Sequence, residues 1–169
     1  YEDHVYALSN GERFYVINIE DPTNPYEVGM FEIGEKGQAI HDVWIEDGIA
    51  YSSNWKHGVY MIDVGNGIAG GSPSNPVAMA NYSYESGAHH ATFPFKSKST
   101  DKFYTVLGDE IFPQGIDVYT TNETAGFIHF VDFTDINNPE EVARYELPGH
   151  GSHNSVSYTH LRAHETTPH

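Results

Sequence analysis

The sequence predicts an all-β chain built from repeated antiparallel units, and three observations carry that prediction. Aromatic residues fill 14% of the 169 positions, mostly as 12 Tyr and 9 Phe, and these suit a pleated, half-buried surface. No stretch keeps apolar residues at helical spacing. One strand–turn–strand pattern occurs three times, at 14–28, 59–77 and 127–142. In each copy an alternating apolar strand ends in Asp or Asn, a polar turn closes on Asn-Pro, and a new strand carries Val close behind. With 38% apolar residues, the chain is long and apolar enough to close a real core.

The registers align by counting. Ile17, Ile62 and Val131 are equivalent, as are Asn24-Pro25, Asn75-Pro76 and Asn138-Pro139. From apolar residue to proline the distance is 8, 14 and 8 positions, so the middle copy carries a six-residue, glycine-rich insertion near 67–72. Each copy is then followed by a histidine with a polar neighbour: His41-Asp42, His89-His90 and His153-Asn154, which lie 16, 13 and 14 positions past the proline.

Taken in order, 1–8 reads as the remnant of a strand and 9–12, Ser-Asn-Gly-Glu, as a hairpin turn. Strands over 13–19 and 26–33 are joined by Asp21-Pro22-Thr23-Asn24-Pro25, where Pro presets φ and the Asp and Asn side chains bond the local backbone. Residues 1–36 are therefore a partial unit without its innermost strand. Residues 37–85 form a full unit: 41–45, a turn at 46–48, 49–53, a loop at 54–58, then 59–64 and 77–82. The third unit, 86–149, opens at Ala88-His89-His90 and continues over 91–95, 102–107, 126–132 and 141–147, with a long loop at 108–125 between its second and third strands. A fourth unit begins at 150–155. Four antiparallel strands in about 40–45 residues is the repeat of a propeller blade. Such a sheet cannot bury its own faces and must stack on neighbours.

After Asn154 the pattern stops. The stretch 156–166, VSYTHLRAHET, resembles the translation of a mosaic-end adapter used in sequencing libraries. That predicts a non-native tail over 156–169 and a fragment truncated at both ends. His160, His164 and His169 then belong to no site.

Composition removes several function classes. The net charge is −16, from 24 acidic and 8 basic side chains, which argues against a nucleic-acid partner, since that needs a basic face. Solvation, a salt-rich habitat or scattered divalent-cation sites all fit this acidity. The chain has no cysteine, hence neither disulfides nor thiolate ligands; that is permissive of export. No apolar run is long enough to span a bilayer. There is no Gly-rich phosphate loop, nucleophile elbow or thiol nucleophile. The sequons at Asn81 and Asn122 are short enough to arise by chance. The loops at 21–24 and 135–138 carry oxygen ligands, but fewer than a dedicated calcium loop needs.

The repeat cores Tyr15-Val16-Ile17-Asn18-Ile19, Val59-Tyr60-Met61-Ile62-Asp63-Val64 and Phe130-Val131-Asp132-Phe133, each leading to Asn-Pro and then to His-Asp or His-Asn, carry a resemblance. Over about 1–154 the chain resembles the LVIVD-repeat proteins, a β-propeller family of mostly exported bacterial proteins. His89-His90-Ala91-Thr92-Phe93-Pro94-Phe95 and Gly108-Asp109-Glu110 resemble a subgroup pattern within it. The resemblance implies a propeller fragment of about three four-stranded blades and an extracellular, periplasmic or cell-surface location. It implies little about activity, and the further blades needed to close a ring are absent from the sequence.

In a propeller the first strand of each blade lines the central channel and starts at the face that carries the loops between second and third strands. His41, His89 and His153 would then meet at one mouth, with Asp109 and Glu110 on the same face. Neutral imidazoles with carboxylates suit Zn, Cu, Fe or Mn, and His90, Asp42 and Asn154 can orient such ligands from behind. The structural alternative is that a histidine recurring once per unit locks its turn to the next unit, with Gly108-Asp109-Glu110 capping a turn. His57 falls in a loop and His129 in a strand, facing solvent or a blade interface; Trp44 and Trp55 read as core or interface aromatics. Two functions stay open. One is a binding platform for a protein, glycan or small molecule on the top face; the other is a metal-dependent enzyme, hydrolytic or oxidative, with the histidine mouth as its site.

Overall fold

A computed structural model describes residues 1–9, 11–34, 39–85, 88–111 and 121–154. Among the described residues eleven strands run in chain order: β1 (His4–Leu8), β2 (Arg13–Asn18), β3 (Tyr26–Glu32), β4 (Asp42–Glu46), β5 (Ile49–Ser53), β6 (Val59–Asp63), β7 (Val77–Tyr82), β8 (His89–Lys96), β9 (Phe103–Asp109), β10 (Ile128–Asp132) and β11 (Glu140–Tyr145). They form three sheets, β1-β2-β3, β4-β5-β6-β7 and β8-β9-β10-β11, each antiparallel with neighbours in sequence order. The first sheet has three strands and the other two have four. The 112–120 part of the long loop and the tail at 155–169 lie outside the described residues. Among the described residues no helix is long and apolar enough to cross a membrane.

One boundary differs from the sequence expectation. Gly108 and Asp109 do not begin the loop; they extend β9, where Gly108 pairs with Ile128 and Asp109 pairs with His89. The Asp109 N–H also donates to the Phe127 carbonyl at 3.1 Å. Backbone pairing on both flanks therefore holds the strand two residues longer than its apolar pattern suggests.

The turn after each apolar strand is made in the same way three times. Asn18, Asp63 and Asp132 each accept, on Oδ1, the N–H two residues ahead: Glu20 at 3.0 Å, Gly65 at 3.0 Å and Thr134 at 2.9 Å. This side-chain bond imitates a backbone turn and explains why the strand ends on Asp or Asn. The asparagine before each proline then donates its N–H three residues back, to Asp21, Ser72 and Asp135 respectively, at 3.0 Å each time. Beyond the proline the next strand carries a β-bulge, at Val16/Ile17, Met61/Ile62 and Phe130/Val131. The extra residues are Val28, Met79 and Val142, each three past its proline.

Two buried clusters join the sheets in series. Phe14, Val16 and Phe31 of the first sheet pack with Ile40, Ala50, Ile62 and Val64. On the other side of the middle sheet, Tyr51, Val59 and Met61 pack with Leu107, Val131 and Phe133. Successive residues of β5 and β6 thus face opposite clusters, and both of these strands are apolar on both faces. Burying one such side chain contributes roughly 1.5–3 kcal/mol, so the middle sheet is where most of the stacking energy resides. Strand β8 lies against β4 and β5, which brings the starts of the second and third sheets together.

Candidate metal centre

Four side chains from four separate stretches converge where these sheet starts meet. His41 stands just before β4, its N–H held by the Ser53 carbonyl at 2.7 Å. His90 is the second residue of β8. Glu110 directly follows β9, its N–H held by the Ala88 carbonyl at 2.9 Å. His153 arrives from beyond β11. Glu110 Oε2 lies 2.6 Å from His90 Nδ1 and 3.9 Å from His41 Nε2, and Oε1 lies 3.2 Å from His153 Nε2. The imidazole of His90 sits between the other two, with ring centroids 4.2 Å from His41 and 3.9 Å from His153. Ligand atoms of His41, His90 and Glu110 all lie within 4.8 Å of one another.

The protonation of His90 follows from its neighbours. Its Nε2 lies 2.9 Å from Asn154 Oδ1, and a carbonyl oxygen accepts, so Nε2 carries a hydrogen. Nδ1 is buried and has no hydrogen-bond partner among the described residues. Glu110 is near enough for one at 2.6 Å but lies off the direction a hydrogen bond requires. An imidazole nitrogen held that close to a carboxylate needs positive charge between the two, supplied by a proton on Nδ1 or, once the two atoms part far enough to ligate it, by a metal ion. His41 is equally suited to ligation. Burial, and then the neighbouring His90, push its pKa below the ordinary 6.5, which keeps it neutral with a lone pair to offer. Two neutral imidazoles and a carboxylate, with a third imidazole at the rim, form a donor set for a divalent transition metal.

The five ligands expected from sequence separate into two groups. His41, Glu110 and His153 are at the centre, and His90 joins them in the place expected of His89. The cause is a bulge at the start of β8: His89 pairs with Asp109, Ala91 pairs with Gly108, and His90 is the unpaired residue between them. Bulges of this kind re-aim a side chain. Of the three residues expected to orient ligands, Asn154 holds His90, while the Asp42 carboxylate accepts the adjacent Val43 N–H at 2.9 Å instead.

His89 and Asp109, themselves fully buried, lie in a different network. Tyr84 donates its only hydroxyl hydrogen to Asp109 Oδ1 at 2.7 Å, so His89 Nδ1, at 3.0 Å, must donate to the Tyr84 oxygen. His89 Nε2 then accepts from the Thr92 hydroxyl at 2.8 Å, which in turn accepts from Ser53 at 3.1 Å. Burial, only partly opposed by Asp109, pushes the His89 pKa down to about 3. Both of its nitrogens are committed, and it has no lone pair for a metal. Asp109 is equally engaged, its Oδ2 lying 3.1 Å from His129 Nε2.

Sequence reasoning missed His129. It is buried, with Nε2 on Asp109 and Nδ1 on Glu141 Oε2 at 2.8 Å. Both nitrogens face carboxylates, so both carry hydrogen and the ring is a cation. Burial lowers its pKa, but the hydrogen bonds to Asp109 and Glu141 outweigh that and leave it raised above 6.5. Its position in an alternating strand held no hint of this, because its partners come from 20 residues before and 12 residues after it. His57 stays in its loop, its N–H on the Asn54 carbonyl at 2.9 Å. Trp44 packs edge-on against Phe93 between the second and third sheets, whereas Trp55 lines the centre itself. Compared with known protein families, curated proteins and solved structures, the chain matches none.

Proposed function

We propose that this protein is an exported repeat scaffold of the LVIVD type, part of a β-propeller, whose channel mouth carries a divalent transition metal held by His41, His90 and Glu110 with His153 as the fourth donor. The observation that carries this reading is the buried, unpartnered Nδ1 of His90 aimed at Glu110. A proton would satisfy only one of the surrounding donors, whereas a cation satisfies all of them. Support for the repeat comes from the three matching turns and bulges and from the serial stacking of the sheets. The rim is open, with the His41 and His153 side chains 35% and 62% exposed, so an external ligand can reach the metal. His153, the most exposed of the four donors, is the one a further ligand can displace, and a metal that offers such a position binds or activates a ligand, whereas a closed four-donor site is structural. The function is therefore recognition through the metal on the top face of the scaffold.

Isothermal titration of tag-free protein with Zn²⁺ and Cu²⁺, together with elemental analysis, tests it. One equivalent is expected, and His90→Ala or Glu110→Gln weakens binding by more than about 100-fold, beyond what substitutions outside the ligand set usually cost. His89→Ala retains the metal but lowers the thermal midpoint. No metal bound by the wild type, or equal metal loss from His89→Ala and His90→Ala in folded protein, overturns the proposal.

A further inference from the structure

Trp55 occupies the loop between β5 and β6 with φ at +50°. A bulky residue in that left-handed region is a true outlier, and such strain persists only where the surroundings over-determine it. Here they do. Trp55 N–H donates to the His89 carbonyl at 3.0 Å and its carbonyl accepts the His89 N–H at 3.3 Å. The fully buried Asn54 side chain ties the loop to the Ser52 carbonyl at 2.8 Å and to the Gly58 carbonyl at 3.0 Å. Gly58 closes the loop at φ +69°, where any Cβ would fall 1.9 Å from the Tyr82 carbonyl oxygen. The loop therefore has one conformation, and Gly would be the unstrained residue at position 55. The indole that stands there instead lies 4.5 Å from the His41 ring at 51° and 6.0 Å edge-on from His90.

We infer that Trp55 is a positioning residue of the proposed metal centre: its strained backbone presses the indole against His41 and holds that imidazole in ligand orientation beside His90. This rests on the metal reading for its purpose but not for its geometry. Among the described residues His41 has no hydrogen-bond partner that would fix its ring as Asn154 fixes His90, and its contacts are the 3.9 Å approach to Glu110 and the two rings beside it. The aromatic wall takes the place of that partner.

The test uses the full chain with Trp55→Gly and Trp55→Phe. In metal-free protein, the His41 ring protons are read by NMR for the ring-current displacement that an indole at this distance produces. Zinc affinity is then titrated, and thermal midpoints are recorded. Trp55→Gly is expected to relax the backbone and keep or raise the midpoint while the His41 resonances return to free-histidine positions. Zinc affinity falls about tenfold, as when a group supporting a ligand is lost. Trp55→Phe is expected to keep the displacement in part and zinc affinity within a few-fold. Unmoved His41 resonances in Trp55→Gly overturn the inference, as does unchanged zinc affinity despite a freed ring. If Trp55→Gly does not fold, Trp55→Phe decides alone: a tenfold loss of affinity with the displacement intact overturns it. Wild-type protein that takes no zinc sinks the metal centre, while the metal-free resonances still report whether Trp55 holds His41.

Discussion

At the scale of single residues, the neighbouring pairs His89-His90 and Asp109-Glu110 divide the work. One member of each is sealed into a hydrogen-bonded interior, and the other meets its counterpart at the open centre. The sealed half depends on His129. Its folded pKa is raised, so the stability it contributes is fully present below the unfolded value of 6.5 and is lost as pH climbs through the folded value. Urea midpoints measured from pH 6 to 9 should therefore show the advantage of the wild type over His129→Gln shrinking as pH rises, against the opposite pull of His89, whose folded pKa is depressed. At pH 6 that variant should already be less stable by about 3–5 kcal/mol, the usual cost of removing one partner of a buried ionic network. Which histidine would serve the centre was only half legible. The repeat pointed to this dipeptide, and the interval of 14 from Pro76 to His90 equals that from Pro139 to His153. The bulge that decides between the two depends on pairing with β9, which no local pattern encodes.

At the scale of elements, the strand ends and turns were the most legible part, because Asx side chains and Asn-Pro act within a few residues of themselves. The glycine-rich insertion shows what the motif residue does when the turn grows. Asp63 is completely buried, and its carboxylate accepts N–H bonds from Gly65, Gly67, Ala69 and Gly71 at 2.8–3.0 Å. Gly71 comes so close that a Cβ would fall 2.1 Å from the Asp63 carbonyl oxygen. Burial tends to raise the carboxyl pKa, but the four donors outweigh it and hold it at about 2. A depressed pKa stabilises the fold above the unfolded value of 3.8, and that contribution is lost as pH falls through about 2. Asp63→Ala should cost about 1–2 kcal/mol near neutral pH by removing the charged acceptor that four part-buried N–H groups share. Acid unfolding followed by circular dichroism should show the difference from wild type shrinking between pH 4 and 2.

At the scale of the whole molecule, sheets stacked in series share one weakness and one remedy. Each sheet leans on its neighbour mainly through one apolar cluster, so the stack gains from any tie that spans distant stretches. The centre supplies one, since its donors come from before β4, from the β8–β9 ladder and from beyond β11. A metal bound there stabilises the folded state by an amount that grows with the logarithm of its free concentration, about 2.7 kcal/mol at 100 times its dissociation constant. Differential scanning calorimetry with and without Zn²⁺ should show the midpoint of the wild type rising and that of Glu110→Gln unmoved. The stacking was foreseeable from the small size of each sheet. The meeting of residues 41 and 153 could be expected only through the propeller reading, because no local pattern brings these two stretches near each other. The paired dipeptides also carry a lesson in spelling. At the start of β8 the same letter stands in both phases, so a slip of one place would still offer the open centre an imidazole but would set Ala88 where His89 now meets Tyr84 and Thr92. The ladder between β8 and β9 therefore tolerates neither a shift nor a change of letter at these two places.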